Sequence, residues 1–285
     1  MPSIKDKKIR KLRYSEAIRE GIDQAMSENQ DLIVIGEGVP DPKSIFETTK
    51  GLQEKFGKSR VFDMPLSENG VTGICIGAAL NGTPVLMIHQ RIDFSLLAMD
   101  QIINNAAKWH YMFNGQSTVP IVIRVIVGRG WGQGPQHSQN LQALFAHIPG
   151  LKVITPATAK DAKGMMVAAL KDKNPVIFIE HRWLHHIEDS VPEEMYFSEL
   201  DKAQILRQGS DVTIVANSLM TIETMKAAAV LSEIGVNVEV VDLRSIKPID
   251  LDTILKSVSK TKKMIVVDSA WKTGGISGEV VSLVV

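Results

Sequence analysis

Residues 59–88 read SRVFDMPLSENGVTGICIGAALNGTPVLMI, two apolar runs on either side of a stretch with helical character. SRVFDMPL (59–66) and TPVLMI (83–88) are short and bounded by turn-forming residues, which predicts buried strands. SENGVTGICIGAALNG (67–82) predicts a helix, with Gly70, Gly73 and Gly77 on one face. Glycine costs helix stability, so close backbone contact with another element is the expected compensation. A strand returning through a helix to a second strand implies parallel pairing, with helices over both faces of the sheet.

The same alternation continues in both directions. Upstream, SEAIREGIDQAMSEN (15–29) has apolar residues at helical spacing behind a serine cap, and DLIVIGEGV (31–39) follows as a strand. Downstream come a long amphipathic helix over 94–113, a strand PIVIRVIV (120–127) and an irregular glycine-rich stretch, GRGWGQGPQHS (128–138). LKVITP (151–156), a helix through 161–172 and NPVIFIEH (174–181) complete this half. Residues 184–210 are polar and break the alternation, so a domain boundary is expected near residue 195, dividing 1–195 from 196–285. Strands at 211–218, 237–245 and 263–270, with helices at 221–235, 250–259 and 274–285, form a second α/β unit. Its last helix has no closing cap, so this domain is expected to be incomplete.

Composition excludes several classes. The 285 residues are 44% hydrophobic and 22% charged, enough for one large or two medium globular domains. Thirty-two basic side chains balance thirty-two acidic ones, which gives no steering toward nucleic acid or an anionic membrane. Cys75 is the single cysteine, and no run of 18 apolar residues occurs. Residues 1–13 carry six basic side chains against one aspartate, a solvated or partner-hugging arm rather than a secretion signal. A cytoplasmic protein is expected.

GRGWGQG is neither a phosphate-binding P-loop nor a dinucleotide fingerprint, since Pro135, Gln136 and His137 follow it. No histidine has zinc-site spacing, and the adjacent His185 and His186 are expected to be solvated. Glu68 stands where a strand ends and a helix begins, the edge at which open α/β sheets hold ligands. It also suits an early-helix acid complementing the helix dipole. Phe94 and His137 also lie beyond strand ends, and the three together describe a site for a ring-shaped ligand.

DMPLSENGVTGICIGAALNG resembles the beta subunits of thiamine-diphosphate-dependent 2-oxo acid dehydrogenases of the pyruvate dehydrogenase type. LIVIGEGV, FSLLAMDQIINNAAK, PIVIR, GPQHSQN, HIPGLKVITPATAKDAKG, DKNPVIFIEH and VEVVDLRSIKPID continue the resemblance along nearly the whole chain. It implies a transketolase-like pyrimidine-binding domain followed by a transketolase C-terminal domain. Glu68 would hydrogen-bond a ring nitrogen of the aminopyrimidine and favour the tautomer that deprotonates the thiazolium carbon. Phe94 would pack on that ring, Leu66 would line its pocket, and His137 would bind or protonate intermediates at the substrate end. A structural potassium ion would take carbonyls of Ile121, Ala169, Leu170, Asp172 and Asn174.

The resemblance also implies partners. The diphosphate and its magnesium would be held by an alpha subunit, because no Gly-Asp-Gly motif occurs here. Two alpha and two beta chains would form a heterotetramer, with beta chains in mutual contact and a lipoyl acyltransferase as acceptor. The glycine face of 67–82 suits such an interface, a face buried within one chain being the alternative. Ile88 occupies a position that is acidic in the family, Gly38 replaces a second glutamate, and EHRWLHHIED alters the rim. Arg91 then becomes a candidate ligand for a substrate phosphate or carboxylate, or a surface arginine. A split transketolase-like transfer of ketol or aldehyde groups between sugars is the second reading, and a non-catalytic scaffold the third.

Overall fold

A computed structural model describes residues 10–285. The basic arm assigned to residues 1–13 therefore lies mostly outside the described residues. The strands are β1 (Lys11–Arg13), β2 (Ile33–Gly36), β3 (Val61–Phe62), β4 (Val85–His89), β5 (Ile121–Val127), β6 (Lys152–Ile154) and β7 (Val176–His181). After them come β8 (Glu188–Ser190), β9 (Gln204–Arg207), β10 (Val212–Ala216), β11 (Val238–Asp242), β12 (Ser245–Lys247) and β13 (Met264–Val267). The main helices are α1 (Tyr14–Glu28), α2 (Glu68–Leu80), α3 (Ala159–Lys171), α4 (Leu219–Glu233), α5 (Leu251–Thr261) and α6 (Ile276–Val284).

The large sheet has the order β12-β6-β7-β5-β4-β2-β3. From β6 to β3 every pair is parallel, as the strand–helix–strand pattern predicts. The exception is β12, which comes from the C-terminal half and pairs antiparallel with β6, Ser245 opposite Ile154. A second sheet, β13-β10-β11-β9, is parallel except for β9. Both sheets are thus mixed at an edge. The polar segment after residue 184 also holds β8, which pairs antiparallel with β1.

Central strands are apolar apart from His89, Arg124, Glu180 and His181, because both faces are covered. In β5, Val122 and Ile126 pack into a core layer with Tyr14, Ile18, Ile22, Met165 and Met166 of α1 and α3. The intervening Ile121, Ile123, Val125 and Val127 face Val71, Cys75 and Ile76 of α2 and Ile102 beyond β4. That second layer runs on to Val215, Val241 and Ile254, so apolar packing joins the two halves. Arg244 reinforces the junction by donating to Asp161 at 2.9 Å.

Local details differ from the sequence pattern. Arg13 rather than Ser15 caps α1, and Glu16 accepts from the Arg13 backbone N–H at 2.9 Å. The helical run after β4 is not uniform: a short α turn (Ile92–Ser95) and a 3₁₀ turn lead into a π segment (Gln101–Ala106) and then Ala107–Met112. The glycines of α2 do not abut backbone within this chain. A Cβ on Gly73 would touch only the Gln101 side chain, and one on Gly77 would meet nothing within 4 Å. The intrachain packing alternative for that face is therefore not realised. Among the described residues, no helix is long and apolar enough to cross a membrane.

Candidate active site

Parallel strands linked by helices end on one edge, and that edge gathers Leu66, Glu68, Arg91, Phe94 and His137, half of the predicted site residues. Glu37 and Gly38 follow β2, Asp63 follows β3, Gln90 and Arg91 follow β4, Gly128 follows β5 and Arg182 follows β7. Glu68 opens α2 just beyond β3 and is half-buried.

Three carboxylates meet there. Asp63 is committed to the backbone, its Oδ1 accepting from the N–H groups of Gly38 and Met64, each at 2.9 Å. Glu37 is free of such duties, and its buried Oε1 has no hydrogen-bond partner. Burial, then Glu68, then Asp63 push the Glu37 carboxyl above its ordinary value. Sequence reasoning missed Glu37. Its place directly after a buried strand, in GEGV, is the signal that would have found it.

Phe94 is half-exposed in the turn after β4, and the His137 imidazole stands edge-on to its ring, with centroids 5.1 Å apart and planes at 90°. His137 ends a 3₁₀ turn (Pro135–His137), and its buried Nδ1 has no partner. Two side-chain hydrogen bonds tie the glycine-rich loop to the Phe94 turn. Gln139 donates to Asp93 at 2.8 Å, and Arg91 donates to Gln133. The loop needs glycine: at Gly128, φ is +131° and a Cβ would lie 3.0 Å from the His181 ring.

The remaining candidates fall apart spatially. Leu66 precedes Glu68 but is 84% exposed, so it bounds the edge without enclosing it. Ile121 opens β5, Ala169 and Leu170 end α3, and Asp172 and Asn174 form the turn before β7, where the Asn174 N–H donates to Asp172 at 2.9 Å. These five lie at the opposite edge, the amino ends of the strands. A cavity of about 250 Å³ there is lined by Ala107, His110, Tyr111, Leu151 and Asn174.

The polar linker pair is corrected by the structure. His186 is exposed, but His185 is buried, stacks at 6.1 Å on Tyr14 and bonds Glu180 at 3.0 Å. Glu180 has drawn it inside. Arg91 is likewise not a surface residue, being 4% exposed.

The donor set fits an aminopyrimidine: a half-buried carboxylate, an aromatic face, and the unpartnered Glu37 Oε1 and His137 Nδ1 on one edge. Residues 10–186 match the family described as "Transketolase, pyrimidine binding domain", and residues 201–285 match "Transketolase, C-terminal domain". The pyruvate dehydrogenase E1 component subunit beta of Rickettsia felis is 40% identical over 269 residues, 94% of this chain and 82% of that one. The acetoin:2,6-dichlorophenolindophenol oxidoreductase subunit beta of Cupriavidus necator is 44% identical over 271 residues, 92% of this chain and 80% of that one. A solved structure described as "Split gene transketolase, inactive beta4 tetramer" superposes with TM-score 0.80 at 22% identity, covering 95% of this chain and 85% of that one, a likeness of fold.

Proposed function

From the premise that this chain belongs to the family of thiamine-diphosphate-dependent E1 beta subunits of 2-oxo acid dehydrogenases, we propose that it completes, with an alpha subunit, a site that decarboxylates a 2-oxo acid and passes the acyl group to a lipoyl acceptor. The observation that carries this reading is that Glu68, Phe94 and His137 all follow carboxyl ends of the parallel strands, the last two with their rings in contact. When bound, thiamine diphosphate supplies a nucleophilic carbon and an electron sink for the loss of carbon dioxide. Glu68 holds a proton against the pyrimidine ring nitrogen, Phe94 fixes the ring plane, and Leu66 bounds the ring's pocket. His137 presents its free Nδ1 for proton exchange with substrate oxygen, and the Asp93–Gln139 bond orients the loop that carries it.

The alpha subunit supplies the diphosphate and magnesium site in this reading, since the chain has no Gly-Asp-Gly motif. A two-alpha, two-beta assembly is supported by the α2 face, where Ile74 is 71% exposed beside the open Gly77. Contact between beta chains and docking to a lipoyl acyltransferase belong to the same proposal. So do a potassium ion on carbonyls of Ile121, Ala169, Leu170, Asp172 and Asn174, a division near residue 195, and a cytoplasmic location. The ketol-transfer reading is less well supported, because the relatives at 40% and 44% identity are named as dehydrogenase and oxidoreductase subunits.

Glu68→Gln tests the mechanism. In the assembled complex it should lower turnover of 2-oxo acids by about 10²–10⁴-fold, the usual worth of a positioned acid–base group. Native mass spectrometry should still find the intact alpha–beta complex. Near-normal turnover would refute the role of Glu68.

A further inference from the structure

Two arginines, one buried and one half-buried, lie on the same strand edge as Phe94 and His137. Arg91 follows β4 and Arg182 follows β7, on either side of the glycine-rich loop that leaves β5. Each has a buried Nη1 without a hydrogen-bond partner, and neither has a carboxylate within ion-pair distance among the described residues. Both lean on one aromatic ring: the guanidinium carbons of Arg91 and Arg182 stand 5.6 Å and 4.2 Å from the Phe46 centroid. Arg182 also lies 5.1 Å from the Trp131 ring. Burial lowers the pKa of both and Arg182 lowers that of Arg91 further, outweighing the more distant carboxylates of Asp93 on Arg91 and of Glu180 and Glu47 on Arg182. Two like charges held together with unfilled donors are costly, and a bound oxyanion removes that cost.

We propose that Arg91 and Arg182 form an anion subsite next to the cofactor cleft, which takes a phosphate or second carboxylate carried by the substrate. The guanidinium fork matches the paired oxygens of either group. Arg91 bonds Gln133 in the loop that bears His137, so an anion seated there sits beside the reacting end of the cleft. A simple 2-oxo acid with an apolar side chain has no second charge to offer. The favoured substrates are thus 2-oxo dicarboxylates or phosphorylated oxo compounds, which rests on the functional reading above.

The test is calorimetric titration of the cofactor-loaded alpha–beta complex with inorganic phosphate, glutarate and, as a monoanionic control, butyrate. Phosphate or glutarate should bind at least tenfold more tightly than butyrate, and Arg182→Gln or Arg91→Gln should weaken that binding tenfold or more. Arg182→Lys, which keeps the charge and loses the fork, should fall between. Preference for phosphate identifies a phosphate ester, and preference for glutarate a dicarboxylate. Native mass spectrometry of each variant confirms assembly, so that a folding defect is not read as lost affinity. Equal binding of all three probes, or unchanged affinity in the assembled variants, overturns the subsite. Turnover of an apolar 2-oxo acid by a complex that binds neither anion would sink the subsite and leave the dehydrogenase reading standing. Anion binding by a complex whose Glu68→Gln form keeps full turnover would do the reverse.

Discussion

Glu180 shows how much one buried residue can decide. It ends β7 with its carboxylate wholly buried, where Arg124 of the neighbouring β5 donates through Nε at 3.1 Å and also through Nη2. Burial pushes the carboxyl up, but Arg124 and then His185 outweigh it and hold the pKa at about 2. Removing one partner of such a pair leaves an uncompensated charge in the core. Arg124→Met should therefore lower stability by about 3–5 kcal/mol in urea denaturation, and adding Glu180→Leu should recover most of that loss. A single variant as stable as the wild type would mean that water reaches Glu180. Nothing in the adjacent histidines of the sequence distinguishes His185, which serves this pair, from solvated His186. That Glu68, Phe94 and His137 lie beyond strand ends was legible because strand ends are legible. Glu37 carries the same signal directly after β2, whereas the approach of Arg182 to Phe46 was not legible, because the two come from segments distant in sequence.

At the scale of elements, α1 and α3 are locked by one lysine. Lys163 lies inside the packed face of α3, and its Nζ donates to Glu20 of α1 at 2.7 Å and to the carbonyls of Pro192, Glu193 and Glu194. One ammonium thus joins both helices to the segment after β8. Lys163→Met keeps the apolar stem, leaves Glu20 to Arg10 alone and strips three carbonyls of their donor. It should cost about 1–3 kcal/mol, and proteolysis should begin in the 192–200 segment. Cleavage unchanged in site and rate would show that this segment is held by other means. Gly21 explains why the helices approach so closely, since a Cβ there would lie 3.1 Å from the Lys163 carbonyl oxygen, while Gly164 lets the segment after β8 lie on α3, where a Cβ would come within 2.6 Å of the Tyr196 ring. Periodicity foretold both helices, since long apolar stripes survive any context. It did not foretell β1, β8, β9 or β12. These strands are three or four residues long, partly polar, and formed on partners far along the chain, as when Ser245 meets Ile154.

For the whole molecule, the pH dependence of stability is set by groups that titrate differently folded and unfolded. His89 and His181 are driven by burial to about 4 from an ordinary 6.5. Between those values the unfolded chain binds their protons and the folded chain does not, so each histidine makes acidification destabilising. Buried His185 adds to this, as its pKa is also lowered by burial. Asp242 acts in the opposite sense. It accepts from Thr221 at 3.0 Å near the Arg244–Asp161 junction, and burial and then Asp161 raise its pKa from 3.8 to about 7. Across that window the folded chain keeps a proton that the unfolded chain has lost, so acidification favours folding through Asp242; Glu37 has the same sign. Each fully effective group contributes about 1.4 kcal/mol per pH unit. The histidines outnumber the buried acid, so stability should rise with pH between about 4.5 and 6. Asp242→Asn removes the main opposing group while keeping an acceptor for Thr221. Its slope over that range should steepen by about 1.4 kcal/mol per pH unit, and its stability at pH 8 should exceed that of the wild type. Urea midpoints at fixed protomer concentration measure both. Parallel slopes for the two proteins would mean that Asp242 is ionised throughout, with Arg244 rather than burial controlling its charge.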